Sequence, residues 1–407
     1  DGNHLEESGG DGGMKFTEYV EVNPKTNLKK GEYAPFVEMA NVSITYREPE
    51  KIEYKKYTSG PKFQNGDSVV AKIEPCLQNG KRFFWKSDKI GFGSTEYIVF
   101  RAKEGKMDSK YLFYLLKTDY IKKSMVSSMV GATGRQRVNN DIFGQIEIVV
   151  PNIEKQKKIG RTLFLYDDLI ENNQKQIKLL EEAAQRLYKE WFVDLRFPGH
   201  ENTKIVDGLP EGWSKSTVGN ICKLRKVVIT PDKIESNTPY IGLEHMPRND
   251  ICLSTWGKSE EINSNKFIYL KKDVLFGKIR PYFHKVGFAL NDGITSTDTM
   301  VMVADQNLWG LLLVTVSSDA FVDFSYQNCK EGAKMPRADW KQMEKYAIMI
   351  ADQATQKLFE QEILVITNKI SALAFQCRSL REARDRMLPK LMGGEVEAWD
   401  GEIFIKS

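Results

Sequence analysis

Two helices written in the same register, two hundred residues apart, constrain this chain more than anything else in it. Leu163, Tyr166, Ile170, Asn173, Ile177, Leu180, Ala184, Leu187 and Trp191 recur at alternating steps of three and four. Ile363, Ile366, Ile370, Leu373, Cys377, Leu380, Arg384, Met387 and Leu391 repeat those steps. Such spacing gathers apolar side chains into one stripe on a helix, and a stripe needs a partner to leave water. Two matched stripes in one chain are natural partners for each other. A globular segment precedes each helix, so the chain returns on itself between them and the pairing is antiparallel. The polar Asn173 and Arg384 interrupt the stripes, where they fix the register, face a bound partner or simply tolerate a wet seam.

The repeat extends beyond the helices. Pro35-Phe36-Val37 matches Pro239-Tyr240-Ile241, Asp67 to Pro75 matches Asp273 to Pro281, and Gly91 to Glu96 matches Gly293 to Asp298. The turn at Gly131 answers the one at Gly332. Small drifts in the spacing are loop insertions between retained elements. The expected order is a leader over 1–13, a globular domain over 14–152 and a helical segment over 153–195. A linker over 196–208 leads to a second domain over 209–352, a second helical segment over 353–392 and a tail over 393–407. Short β-branched and aromatic runs such as Glu96 to Phe100 predict strands, and Ser109 to Lys123 and Trp309 to Ser317 predict short helices. The fold class is α+β: two duplicated globular domains separated by two long helices forming an antiparallel coiled coil.

Composition mostly excludes. No apolar run approaches the ~20 residues of a membrane span. Five cysteines without a C-x-x-C pair point to a reducing cytoplasm, and four scattered histidines offer no metal site. A net charge of +4 identifies no partner, but residues 61 to 150 carry 15 Lys and Arg against 9 Asp and Glu.

This arrangement resembles the DNA-specificity subunits of type I restriction-modification systems, the HsdS family, across residues 14 to 395. The features that carry the resemblance are Gln185-Arg186-Leu187-Tyr188-Lys189-Glu190-Trp191-Phe192-Val193-Asp194, Leu209-Pro210-Glu211-Gly212-Trp213 and Leu388-Pro389-Lys390-Leu391-Met392. The resemblance implies two target recognition domains, each reading half of a bipartite double-stranded DNA target. It also implies helices that set the spacer and dock two modification subunits, with restriction subunits joining the full complex. The first domain departs from the pattern by lacking the Leu-Pro-x-Gly-Trp opening.

Arg and Lys serve guanine edges and phosphates, and Asn and Gln serve adenine. The candidate DNA contacts are therefore Lys72, Gln78, Asn79, Lys81, Arg82, Arg135, Gln136 and Arg137 in the first domain. In the second they are Lys278, Arg280, Tyr282, His284, Lys285, Lys334 and Arg337. No catalytic, cofactor or metal residue is expected. The resemblance implies that S-adenosylmethionine, ATP and Mg belong to partner subunits, and this chain has no phosphate-cradling G-x-x-x-x-G-K-[ST]. Asn237-Thr238-Pro239-Tyr240 looks like a methyltransferase tetrad, but the repeat aligns it with Tyr33-Ala34-Pro35-Phe36 and so with a strand entry. The competing reading is a protein-binding scaffold, a coiled-coil rod with two ligand-binding heads.

Overall fold

The computed structural model describes residues 13–396 apart from 45, 133, 261, 306 and 330–334. Most of the expected leader, much of the tail, Gly332 and Lys334 lie outside the described residues. The chain divides into two compact units, residues 1–171 with 380–407 and residues 172–379.

In the first unit, Ser68–Ala71 has no exposed position. Continuous burial of a strand means a sheet covered on both faces. Its sheet runs in the order Val20–Val22, Tyr97–Ala102, Ser68–Ala71, Arg82–Phe84, antiparallel throughout. The two-residue period then sends neighbours to different cores. Val69, Phe83 and Val99 pack with Val37, Phe63 and Trp85. Val70, Phe84, Ile98 and Phe100 instead meet the helices Ser109–Leu115 and Asp119–Ser127 and the long-helix residues Ile159 and Leu163. A second sheet joins Glu53–Lys56, Tyr33–Val37, Gly91–Gly93 and Lys62–Phe63. Met14–Lys15 pairs with Glu147–Ile148.

The second unit repeats this plan. Cys222–Leu224, Thr299–Ala304, Val274–Gly277 and Val286–Ala289 form the doubly covered sheet, and Cys252–Leu253 adds a fifth strand parallel to Val286–Ala289. Val274 and Phe276 face the helices, while Leu275 and Val301 face Ile241 and Tyr269. Trp309–Val316 is buried along its whole length, and Asp319–Gln327 follows it as a separate helix that the sequence did not suggest. Ser214–Thr217 pairs with Ala347–Ile350, the counterpart of the Met14–Lys15 pairing.

The long helices span Ile153–Tyr188, continued by a π-turn over Lys189–Val193, and Gln353–Met392. Asn152 and Asp352 cap their starts through Lys155 N (2.9 Å) and Ala354 N (3.0 Å). Each unit contains part of both helices, and within each unit they run antiparallel. In the second unit Trp191 packs on Phe359, with ring centroids 5.5 Å apart, and Asn173 donates to Gln376 at 3.4 Å. In the first unit Arg384 binds Asp167, and Leu391 shares a core with Leu163. The seam residues Leu163, Ile170, Ile177, Leu180, Leu187, Ile363, Ile366, Ile370, Leu373, Leu380 and Met387 are all buried or half-buried. Arg384 is also buried, paired with Asp167 and Asp385, and Asp167 accepts a further hydrogen bond from the Tyr114 hydroxyl. For Arg384 this buried pairing favours a register role over a partner-facing or merely wet seam position.

Candidate nucleic-acid interface

The same backbone lacing recurs in both units and brings together the basic loops that sequence reading treated separately. In the first unit Lys72 N donates to Glu96 O (2.8 Å), Val138 N to Lys72 O (3.0 Å) and Glu74 N to Gln136 O (2.9 Å). In the second, Lys278 N donates to Asp298 O (2.8 Å), Ala338 N to Lys278 O (2.9 Å) and Arg280 N to Pro336 O (2.8 Å). Bridges join Ile73 to Arg137 and Ile279 to Arg337. The loop after the central strand is therefore held against the loop before the last short helical turn, twice over.

Each junction carries an exposed arginine beside an acid. The Arg137 guanidinium binds Glu96 through two parallel contacts of 2.9 and 2.8 Å. That pairing holds the Glu96 carboxyl below its ordinary range and raises Arg137. Arg337 sits 3.2 Å from Asp298. A fixed guanidinium fork suits the O6 and N7 edge of guanine or a phosphate, and a carboxylate suits the cytosine amino group. Glu96 and Asp298 were absent from the candidate set. Their signal was an acid repeated opposite a repeated arginine.

The remaining candidates divide by where their side chains go. Asn79, Arg135 and Tyr282 are exposed, and Lys72 is half-buried. Gln78 is exposed and reaches back to Glu74 at 3.0 Å, while Gln136 touches Gly131 O at 3.4 Å. Lys81 donates to Met39 O (2.7 Å), Lys278 to Thr297 O (2.6 Å) and Lys285 to Leu243 O. Burial lowers both Lys278 and Lys285. These lysines brace their loops as much as they present charge. His284 spans Ser317 O (2.9 Å) and Asp319 (3.3 Å), and Arg280 has a buried Nε.

Arg82 requires correction as a candidate contact. Its side chain is buried, donates to Leu116 O at 2.7 Å, and is pushed down to about 10 by desolvation. It lies on the helix-facing side of the doubly covered sheet, where its guanidinium satisfies the carbonyl end of a helix. Among the described residues no group of three His, Cys, Asp or Glu could hold a metal, and no helix is long and apolar enough to cross a membrane.

Comparisons with known proteins agree with this layout. Residues 20–182 match the model of the type I restriction modification DNA specificity domain. The chain is 25% identical to the type I restriction enzyme MjaIX specificity subunit of Methanocaldococcus jannaschii, over 71% of this chain and 69% of that protein. The MjaVIII specificity subunit of the same organism is 34% identical over 53% of this chain, and the EcoAI specificity subunit of Escherichia coli is 29% identical over 49%. The matches span only 43% and 34% of those two relatives. The crystal structure of a type I restriction-modification S subunit from M. genitalium shares the fold, with a TM-score of 0.57 at 15% identity, over 96% of this chain and 98% of that one.

Proposed function

Because the chain belongs to the family of DNA-specificity subunits of type I restriction-modification systems, we propose that its two globular domains each read one half of a bipartite duplex target. The single observation that carries this reading is the duplicated junction, with Arg137–Glu96 in one unit and Arg337–Asp298 in the other on the same backbone lacing. A protein-binding scaffold has no need of an arginine–acid pair at the same loop crossing in both heads. The paired helices fix the number of unread base pairs between the half-sites and dock two modification subunits. Methyl transfer, cleavage and the use of S-adenosylmethionine, ATP and Mg belong to the modification and restriction subunits. This chain contributes recognition, and the assembly works in the cytoplasm.

Exchanging residues 14–152 for the first domain of another specificity subunit tests the reading by methylation mapping. The expected result changes one half-site and leaves the other half and the spacer intact. A change in both halves, or in neither, overturns independent reading. Salt titration of duplex binding separates DNA recognition from a scaffold role, since phosphate contacts release counterions and give a steep inverse slope.

A further inference from the structure

The two DNA-facing loops differ in one respect that charge does not explain. Cys76 and Leu77 follow Pro75 in the first unit, and Leu77 is fully buried. Tyr282 and Phe283 follow Pro281 in the second, and Tyr282 is 46% exposed. Tyr282 stands edge-to-face against Tyr326 of the helix Asp319–Gln327 with centroids 5.2 Å apart, and Tyr326 is also 46% exposed. Phe283 also meets the Tyr282 ring edge-to-face, with centroids 4.9 Å apart. The Arg248 guanidinium lies 3.9 Å from the Phe283 ring centre, and that of Arg280 lies 5.7 Å away.

The backbone holds this cluster in place. The single turn Pro281–Phe283 is flanked by Arg280 (φ 50, ψ 64) and His284 (φ 50, ψ 50), both left-handed and neither a glycine. Such conformations cost energy and persist where surrounding contacts enforce them, often at functional sites. The contacts here are Arg280 N to Pro336 O (2.8 Å), Asn249 N to His284 O (3.1 Å) and the His284 ring to Ser317 O. They tie the turn to three other segments, and the Tyr282 ring stays exposed.

Exposed aromatic rings flanked by guanidinium groups match a nucleic-acid surface, with rings stacking on bases and cations taking phosphates. We propose that Tyr282, backed by Tyr326 and Phe283, is a stacking wedge that opens one base step in the second half-site, with Arg248 anchoring the adjacent phosphate. The second unit then reads partly through the deformability of its sequence, while the first relies on its polar loops. This rests on the proposed DNA-reading function.

The test uses the full chain and duplexes bearing its mapped target. The fluorescent adenine analogue aminopurine is placed at successive positions of the half-site assigned to the second domain. The expected result is a fluorescence rise at one step on binding. Tyr282→Ala should abolish that rise and weaken binding about tenfold to a hundredfold, the range for a lost base–aromatic stack. Tyr282→Phe should keep both, which excludes a role resting on the hydroxyl. Arg248→Ala should lower the salt slope by about one. Tight, salt-dependent binding with no rise at any position, or a rise that survives Tyr282→Ala, overturns the wedge and leaves the reading function standing. Failure of the wild-type chain to bind its duplex overturns both.

Discussion

Both units bury a short helix beneath the central sheet, and each caps it from a different side. In the first, Asp108 caps its own helix by accepting from Tyr111 N at 2.9 Å, with Gln156 of the long helix holding Asp108 N at 3.0 Å. In the second, the corresponding residue is Leu308, which offers no side-chain acceptor. Glu360 of the long helix reaches across instead, accepting from Gly310 N at 2.6 Å and Leu311 N at 3.0 Å, with Gln356 bound to it at 3.2 Å. The space is exchanged along with the acceptor. A Cβ on Gly160, the counterpart of Glu360, would lie 2.8 Å from the Asp108 carboxylate. A Cβ on Gly310 would lie 2.8 Å from that of Glu360. Uncapped N–H groups in a core are costly, so the requirement survived duplication while the residue meeting it moved.

A second exchange fastens a loop of each domain to the helices. Arg47 supplies the charge in the first unit, bonding Asp168 and Glu171 at 2.6 Å each and lying 4.3 Å from the Phe164 ring centre. In the second unit the helix instead supplies a hydrogen-bond acceptor, Glu181 accepting from Ile251 N at 2.9 Å.

The largest effect expected of breaking this comparison comes from Arg47→Ala. The half-buried Glu171 would be left without its partner, at a cost of about 3 kcal/mol. Hydrogen exchange should show lost protection in the first unit and little change in the second. Equal loss in both would mean that the two clamps are not separate devices.

Glu360→Ala should come next, destabilising the second unit by about 2 kcal/mol through orphaned helix N–H groups. Importing the first unit's solution, Leu308→Asp with Glu360→Gly, should recover about 1 kcal/mol of that loss in chemical denaturation. Absence of recovery would show that the two caps are not interchangeable.

A third effect is one of pH. Burial pushes Glu181 from its ordinary 4.5 up to about 8. The folded chain therefore keeps a proton that the unfolded chain releases, and stability falls as pH rises between those values. Glu360, also raised by burial, acts in the same direction. Glu181→Gln should flatten the decline measured by denaturation across pH 4.5 to 8. An unchanged slope would assign the effect elsewhere.

These particulars show what the sequence could reveal. The stripes were readable because burial on a helix recurs every three or four residues, and Arg384 was readable as a break in one. Its partner Asp167 was not, since it stands one step off the stripe beside Tyr166. Glu360 carries no sequence signal for its role, because nothing local reveals a helix end packed against it. Arg82 looked like a loop cation because the period-two rule assumes one wet face, and this sheet has none. The loop pairs at the candidate interface depend on single bridges between distant segments, Ile73 with Arg137 and Ile279 with Arg337, which no local pattern encodes.

The division of the helices also sets an order in time. Residues 172–379 are continuous, so everything the second unit needs is synthesised before Leu380 is added. The first unit waits for Leu380 onward, which brings Leu391 to its core and Arg384 to Asp167. The domain synthesised first is therefore finished last. During that interval Asp167 lacks its cation and Leu163 part of its cover, the kind of incomplete state from which misassembly starts.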